Sequence, residues 1–305
     1  MRVTVVPAST KSGVATIRSL LSKPVQVHGI YRDLSKVPAA FSAEANFSAV
    51  EGNASDEGTL DLTGSDAVLA IIPPVFDGRD LIEHAEKISS NIKTAIELAG
   101  NVKRLVLLSS GGAEFSEGVG EIKTNNKAEE VLRRTKVESI VFVRCAYFME
   151  NWTMNLATLK GPDPFFFSTI TPVDYKISMV SVLDIGTTLA EQLIDKATLA
   201  KRPYIVELHG PQNYSPLDVQ AAFAKALGKE VKLRPVERDQ LRKFYAQIFP
   251  PSILDYWIEL ATSILADGKL GTDYMLHPRG PVLYGRTDLE AAIKTSIEAR
   301  FSYSM

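Results

Sequence analysis

The stretch from Arg2 to Leu21, RVTVVPASTKSGVATIRSLL, limits what this chain can become more than any other. A Val-rich run, a turn of small and hydroxyl residues, and apolar Val14, Ile17, Leu20 and Leu21 at helical spacing read as strand, turn and helix. Such a unit opens a doubly wound dinucleotide-binding fold, in which the turn and the helix N-terminus approach a pyrophosphate and glycines make room for it. In Pro7–Gly13 only the third glycine of a G-x-x-G-x-x-G spacing is present, as Gly13. Pro7 has no N–H to donate, and Thr10 puts a branched side chain in the path of the phosphates. Ser9, Thr10 and Ser12 supply hydroxyls and Lys11 a charge, so the expectation is weakened dinucleotide binding. The same residues also read as a turn of this shape that binds nothing.

The alternation continues. Val25–Ile30 is a second strand followed by Tyr31-Arg32-Asp33, where an acid would meet the ribose hydroxyl of NAD and an Arg the extra phosphate of NADP. Arg32 favours NADP, or is a solvated strand-end charge; Asp33 competes for the ribose, orients Arg32 or caps a turn. A third strand, Phe47–Glu51, leads to Gly52-Asn53, and a fourth, Ala67–Ile72, is a continuous apolar run that exits through Pro73-Pro74. Asn53 and Pro73 are therefore assigned to the cofactor. A helix from Asp80 to Ala99 stops at Gly100-Asn101, and a fifth strand, Arg104–Leu108, runs into Ser109-Ser110-Gly111-Gly112. Lys123 and Lys127 open the next helix four residues apart, so mutual repulsion should depress the less exposed ammonium. A sixth strand, Ser139–Val143, delivers Arg144-Cys145-Ala146-Tyr147-Phe148-Met149-Glu150-Asn151-Trp152 at its carboxyl end. This is the pattern of an α/β, Rossmann-type doubly wound parallel sheet.

From residue 156 the pattern changes. Phe165-Phe166-Phe167 reads as a loop or ribbon over the cleft, and Ser181 caps a helix. Tyr204–His209 is a buried strand, Ser215–Leu227 a helix ended by Gly228, Val231–Pro235 a short strand and Glu237–Ile248 a polar helix. Ile253–Leu265 carries Tyr256 and Trp257, and Thr287-Asp288-Leu289-Glu290 is a capping box. The expected division is a dinucleotide-binding domain over 1–155, to which the chain returns around 177–210, and a smaller α+β substrate-binding part over 156–305.

Composition narrows the function. A net charge of −2 on 305 residues supplies no basic field for nucleic acid. The single Cys145 excludes an internal disulfide and suits a reducing, cytoplasmic setting, its apolar context reading as an inert thiol. With no apolar run near the roughly 20 residues of a membrane span, no membrane partner is expected. The four N-x-S/T triplets, at Asn46, Asn53, Asn151 and Asn213, are then chance matches. His28, His84, His209 and His277 are scattered, which gives no metal site, and the absence of G-x-S-x-G argues against a hydrolase. The partner is a small molecule; monomer and homodimer both remain open.

Taken together, the PASTKSG turn, Arg32, the Ser109-Ser110-Gly111-Gly112 run, a lysine opening the next helix and F-M-E-N-W after the sixth strand resemble the NmrA-like family, a branch of the atypical short-chain dehydrogenase/reductases. The turn is similar to a variant of fungal members, which implies a fungal source and secondary metabolism. The resemblance implies a Rossmann fold, NADP and a smaller substrate part. It matches Gly13 to the last glycine of the turn, Lys127 to the catalytic or cofactor-orienting lysine and Ser109 or Ser110 to the serine region. The tyrosine four residues before that lysine is replaced by Lys123. The implied activity is that of an NADPH-dependent reductase or related tailoring enzyme for a small aromatic or polyketide-like metabolite. Lys127 orients ribose or relays a proton, Ser110 or Tyr147 holds the substrate oxygen, and Phe148, Asn151, Phe165, Phe166, Tyr256 and Trp257 are wall residues. The missing tyrosine leaves open a non-catalytic NADP-sensing regulator, and the altered turn a cofactor-independent isomerase or cyclase using the same pocket.

Overall fold

A computed structural model describes residues 1–301. The first half runs β1 (Arg2–Val6), α1 (Lys11–Leu21), β2 (Gln26–Tyr31), α2 (Ala39–Ser42), β3 (Phe47–Glu51), β4 (Ala67–Ile71), α3 (Leu81–Ala99), β5 (Arg104–Ser110), α4 (Lys123–Leu132) and β6 (Ser139–Cys145). The second runs β7 (Tyr147–Phe148), α5 (Leu156–Leu159), β8 (Phe165–Ser168), β9 (Ile177–Val180), α6 (Val182–Ile194), β10 (Tyr204–His209), β11 (Asn213–Tyr214) and α7 (Pro216–Leu227). It closes with β12 (Lys232–Pro235), α8 (Leu241–Tyr245), α9 (Pro251–Ser263), α10 (Thr272–Leu276), β13 (Val282–Tyr284) and α11 (Leu289–Phe301).

Eight strands form one parallel sheet in the order β13-β10-β6-β5-β4-β1-β2-β3. Alternate residues of each strand feed the two faces. Val3, Val5, Leu69, Val106 and Val141 pack with Ile17, Leu20, Ile185 and Leu189 of α1 and α6. Val68, Ala70, Leu105, Leu107 and Phe142 pack with Ile88, Ile92, Ala128 and Leu132 of α3 and α4. Every residue of β4 is buried, as a central strand covered on both sides requires. Gly186 brings α6 onto α1: a Cβ there would lie 2.5 Å from the carbonyl carbon of Ala15.

Local capping sets where α3 begins. The Asp80 carboxylate accepts the N–H groups of Ile82 and Glu83 at 2.8 and 2.9 Å, and Gly100 closes the helix with φ +68°. Asp80→Ala should cost about 1 kcal/mol, read as a lower denaturant midpoint with an unchanged slope.

Three expectations for the second half are corrected. Phe165–Phe167 is a strand, because β8 pairs in parallel with β12 and Phe166 is fully enclosed against Trp152 and Phe223. The polar helix expected over 237–248 breaks into a short turn at 238–240 and α8, since only Leu241 is a buried anchor there. Asp288, not Thr287, caps α11, accepting from Ala291 at 2.8 Å, because the Thr287 N–H is taken by Asp184. In addition β13, from the segment read as substrate-binding, supplies the outer strand of the large sheet beside β10.

Candidate functional site

In a parallel sheet with helices on both faces, ligands meet the carboxyl ends of the strands. The turn after β1, Arg32 after β2, Asn53 after β3, Pro73 after β4, Ser110 at the end of β5 and Tyr147 beyond β6 all lie along that edge. What each side chain does there differs from residue to residue.

Gly13 is obligatory in the first turn. A Cβ would stand 2.8 Å from the Ala8 carbonyl oxygen and 2.9 Å from that of Pro7. Thr10 is the N-cap of α1, its hydroxyl accepting the Gly13 N–H at 2.9 Å. That hydroxyl, expected at a phosphate, is thus committed to the helix. Ser12 is buried, while Ser9 and Lys11 are exposed at the helix mouth. Asp33 resolves to a turn cap: its carboxylate accepts the Ser35 N–H at 2.9 Å. Arg32 is left exposed, without an ion pair among the described residues. Of the charges around His84 on α3, Arg79 is itself paired with Asp77. The pKa of His84 on α3 is lowered by burial first, then by Arg79, with Lys87 and Arg32 adding to the effect against Asp77. Asn53 holds its own turn, donating to Asp56 at 2.7 Å and accepting from Ser55 at 3.1 Å.

Around β5 and α4 the lysine and serine expectations change. Ser109 is buried and donates to Glu129 at 2.7 Å, so it supports the site from beneath; Ser110 is the serine at the edge. Glu129 receives Arg144 through Nε at 2.9 Å and Nη2 at 2.7 Å, and Arg144 Nη1 reaches Glu114 at 2.7 Å. The expected depression is not found at Lys127. Lys123 pairs with Glu259 of α9 at 2.8 Å, and the Glu130 carboxylate 2.9 Å from Lys127 holds that ammonium above the usual lysine range. Ala128 and Leu132 define the stripe of α4 that packs on the sheet. At 100° per residue Lys127 points well to one side of it, whereas Thr124 and Asn125 continue it toward the helix N-terminus, with Glu121 in the turn Gly120–Ile122 just before.

The facing wall comes from the second half. Trp257 stacks on Phe249 at 4.6 Å and on Phe76 at 5.6 Å, Phe76 belonging to the loop after β4 and 51% exposed. Ser252 donates to the Gly78 carbonyl at 2.7 Å, tying that loop to α9. The Trp257 indole N–H is buried with no hydrogen-bond partner among the described residues. Tyr256 lies under the Lys123 ammonium, 4.8 Å from ring centroid to Nζ. Burial pushes the Tyr147 phenol up, with Tyr245 adding to the effect and a hydrogen bond to Asn151 opposing it. Tyr245 is half-buried, its phenol likewise pushed up by desolvation, and it reaches Thr169 at 3.4 Å. Both phenols are therefore neutral donors set in an apolar wall.

Three of the expected wall residues lie elsewhere. Phe148 packs against the α1–α6 core, because successive residues of β7 face opposite ways. Phe165 lies under the Arg234 guanidinium at 3.5 Å, and Phe166 is core. The F-M-E-N-W motif has a structural use. Glu150 accepts from Ser181 Oγ and the Val182 N–H, both at 2.9 Å, at the start of α6, and Trp152 is core. Phe76, Tyr245, Phe249 and Glu121 were not found by sequence reasoning. Only Glu121 carried a usable signal, its spacing from Ala128 and Leu132. The Cys145 thiol is buried and its pKa raised by that burial.

The fold is that of a doubly wound, Rossmann-type protein, with aromatic residues of α9 and of the loop after β4 stacked beside the carboxyl ends of its strands. More narrowly, the chain belongs to the NmrA-like family, which it matches over residues 1–282. Its fold is similar to that of the NADPH-dependent quinone oxidoreductase of Escherichia coli in complex with NADPH, at 20% identity and TM-score 0.70 over 99% of this chain and 100% of that one. It is also similar to the Citrobacter triphenylmethane reductase complexed with NADP(H), at 18% and 0.72 over 97% and 100%. The negative transcriptional regulator NmrA is similar at 16% and 0.59, over 77% of this chain and 74% of that one. No curated protein matches the sequence. Among the described residues no helix is long and apolar enough to cross a membrane, and no His/Cys/Asp/Glu group is arranged to hold a metal.

Proposed function

We propose that this chain is an NADPH-dependent reductase of a small, largely apolar aromatic molecule. The observation that carries this reading is Arg32, exposed and without an ion pair among the described residues at the end of β2, one strand away from a turn that only glycine can close. Those residues fit a dinucleotide with an extra phosphate: the helix N-terminus offers its dipole to the pyrophosphate and Arg32 its guanidinium to the third phosphate. Thr10 and Pro7 offer less than glycines would, which supports a weaker complex. Reduced nicotinamide, when bound, supplies a hydride. The residues of the chain do the rest: the Trp257–Phe249–Phe76 stack excludes water and holds a flat ring, and the neutral phenol of Tyr147 donates to a substrate oxygen.

NADPH should bind in calorimetry with NADH weaker, and Arg32→Ala should weaken NADPH by about 10- to 100-fold while leaving NADH unchanged, the size of a lost hydrogen bond to a charged group. Consumption of NADPH with aromatic ketones or quinones would then establish turnover; failure of both nucleotides to bind would overturn the reading. A regulator that reports NADP state is the second reading, favoured by the altered turn and by the absence of a lysine–tyrosine pair on the α4 stripe. It expects different affinities for NADPH and NADP+ and no turnover. Binding of neither nucleotide would leave the cofactor-independent use of the pocket.

A further inference from the structure

Glu121 lies in the single turn Gly120–Ile122 that leads into α4. Counting back along the helix, Leu132, Ala128 and Thr124 face the sheet, and Glu121 falls one turn above Thr124, where the sheet beneath has already ended at Ser110. Because α4 joins two parallel strands, β5 and β6, its first turn stands at the carboxyl edge of the sheet. Its place is fixed from behind. Gly120, at φ +59°, lies so close to α9 that a Cβ would come within 2.1 Å of the Tyr256 carbonyl oxygen, which pins this turn against the aromatic wall.

The hydrogen bonds run in one direction. Asn125 donates to Thr124 Oγ1 at 3.5 Å, and Thr124 donates to Glu121 Oε1 at 3.2 Å. The second carboxyl oxygen of Glu121 has no partner among the described residues, and no cation there balances the group. Beside it Lys123 is paired with Glu259 of α9, and Tyr256 of α9 lies under that same ammonium. Below it Lys127 is paired with Glu130, and Arg144 with Glu129 and Glu114. Glu121 is half-buried, and that desolvation raises its carboxyl above the usual range, with the Thr124 hydrogen bond opposing it.

We propose that Glu121 is the proton donor of this site, its partner-free carboxyl oxygen delivering a proton to the oxygen of a carbonyl substrate. The inference rests on the reductase reading above and names the acid which that reading lacks. The balance is simple. Hydride from the reduced nicotinamide dinucleotide forms the new C–H bond, the C=O π pair moves to oxygen, and the Glu121 O–H bond breaks as the alcohol O–H forms. The carboxylate left behind is reprotonated from water, and Asn125 and Thr124 act as positioning residues.

The test begins on nucleotide-free protein. Infrared difference spectra between the chain and Glu121→Gln should show a neutral-carboxyl band that persists above the ordinary glutamate range in the first and is missing in the second. Adding acetophenone together with NADP+ should shift that band. With aromatic ketones, Glu121→Gln should lower kcat by about 100-fold or more, within the range of general acid catalysis. It should also abolish the fall of kcat on the alkaline side, which arises because the donating form is lost as pH rises through the raised pKa. NADPH affinity should be unchanged, and Glu121→Asp should restore part of kcat. No band assignable to Glu121, or a band indifferent to the ketone, overturns the proposal. Failure of NADPH to bind, measured separately by calorimetry, overturns the reductase reading instead.

Discussion

Arg144→Met should destabilise the protein by about 3–5 kcal/mol, the usual cost of leaving one member of a buried ion pair uncompensated. Glu129 is 1% exposed and takes two hydrogen bonds from Arg144, at 2.9 and 2.7 Å. Without the guanidinium it keeps the Ser109 hydroxyl, at 2.7 Å, and the exposed Arg133 guanidinium only at 3.8 Å. Glu114 is less affected, since Arg279 stays 3.7 Å from its other oxygen. Adding Glu129→Met to Arg144→Met should recover much of the loss, because the desolvation cost of the orphaned carboxylate disappears. Denaturant unfolding of both variants measures this. A single mutant within about 1 kcal/mol of the parent would mean that water reaches Glu129.

Gly120→Ala should cost about 2–5 kcal/mol, combining a left-handed backbone with overpacking. Its Cβ would approach the Tyr256 oxygen to 2.1 Å and the Leu260 nitrogen to 2.3 Å, both backbone atoms that cannot turn aside. The variant should also lose activity beyond its loss of stability, because the turn bearing Glu121 and the helix bearing Trp257 are pushed apart. Gly228→Ala separates the two costs. At φ +65° with nothing within 4 Å, it carries the conformational term alone, about 1 kcal/mol. Equal losses in the two variants would show that α9 yields to the extra methyl.

The site was legible in unequal parts. Gly13 and Arg32 could be placed from sequence because their roles depend on the ends of β1 and β2, and strand ends are marked locally by where apolar runs stop. Lys127 could not be placed by the lysine's resemblance to the short-chain reductases. The phase of α4 is set by Ala128 and Leu132 on the sheet, and it turns Lys127 aside toward Glu130. The triple phenylalanine run misled for the opposite reason. Apolar content alone does not say whether a segment covers a cleft or pairs with a distant strand, as Phe166 does with Leu233.

By itself, then, the sequence determined the alternation of strand and helix, the parallel sheet that this alternation forces, the cap at Ser181 and the helix stop at Gly228. These follow from short-range periodicity and backbone chemistry. Only the tertiary structure decided which side chains share the carboxyl edge of the sheet: the stacking of Phe76 with Trp257, the burial of Ser109 on Glu129, the diversion of Thr10 into a helix cap and the close approach of the Gly120–Ile122 turn to α9. Each depends on contacts between distant segments, and their free energy resides in packing and desolvation that no local pattern records.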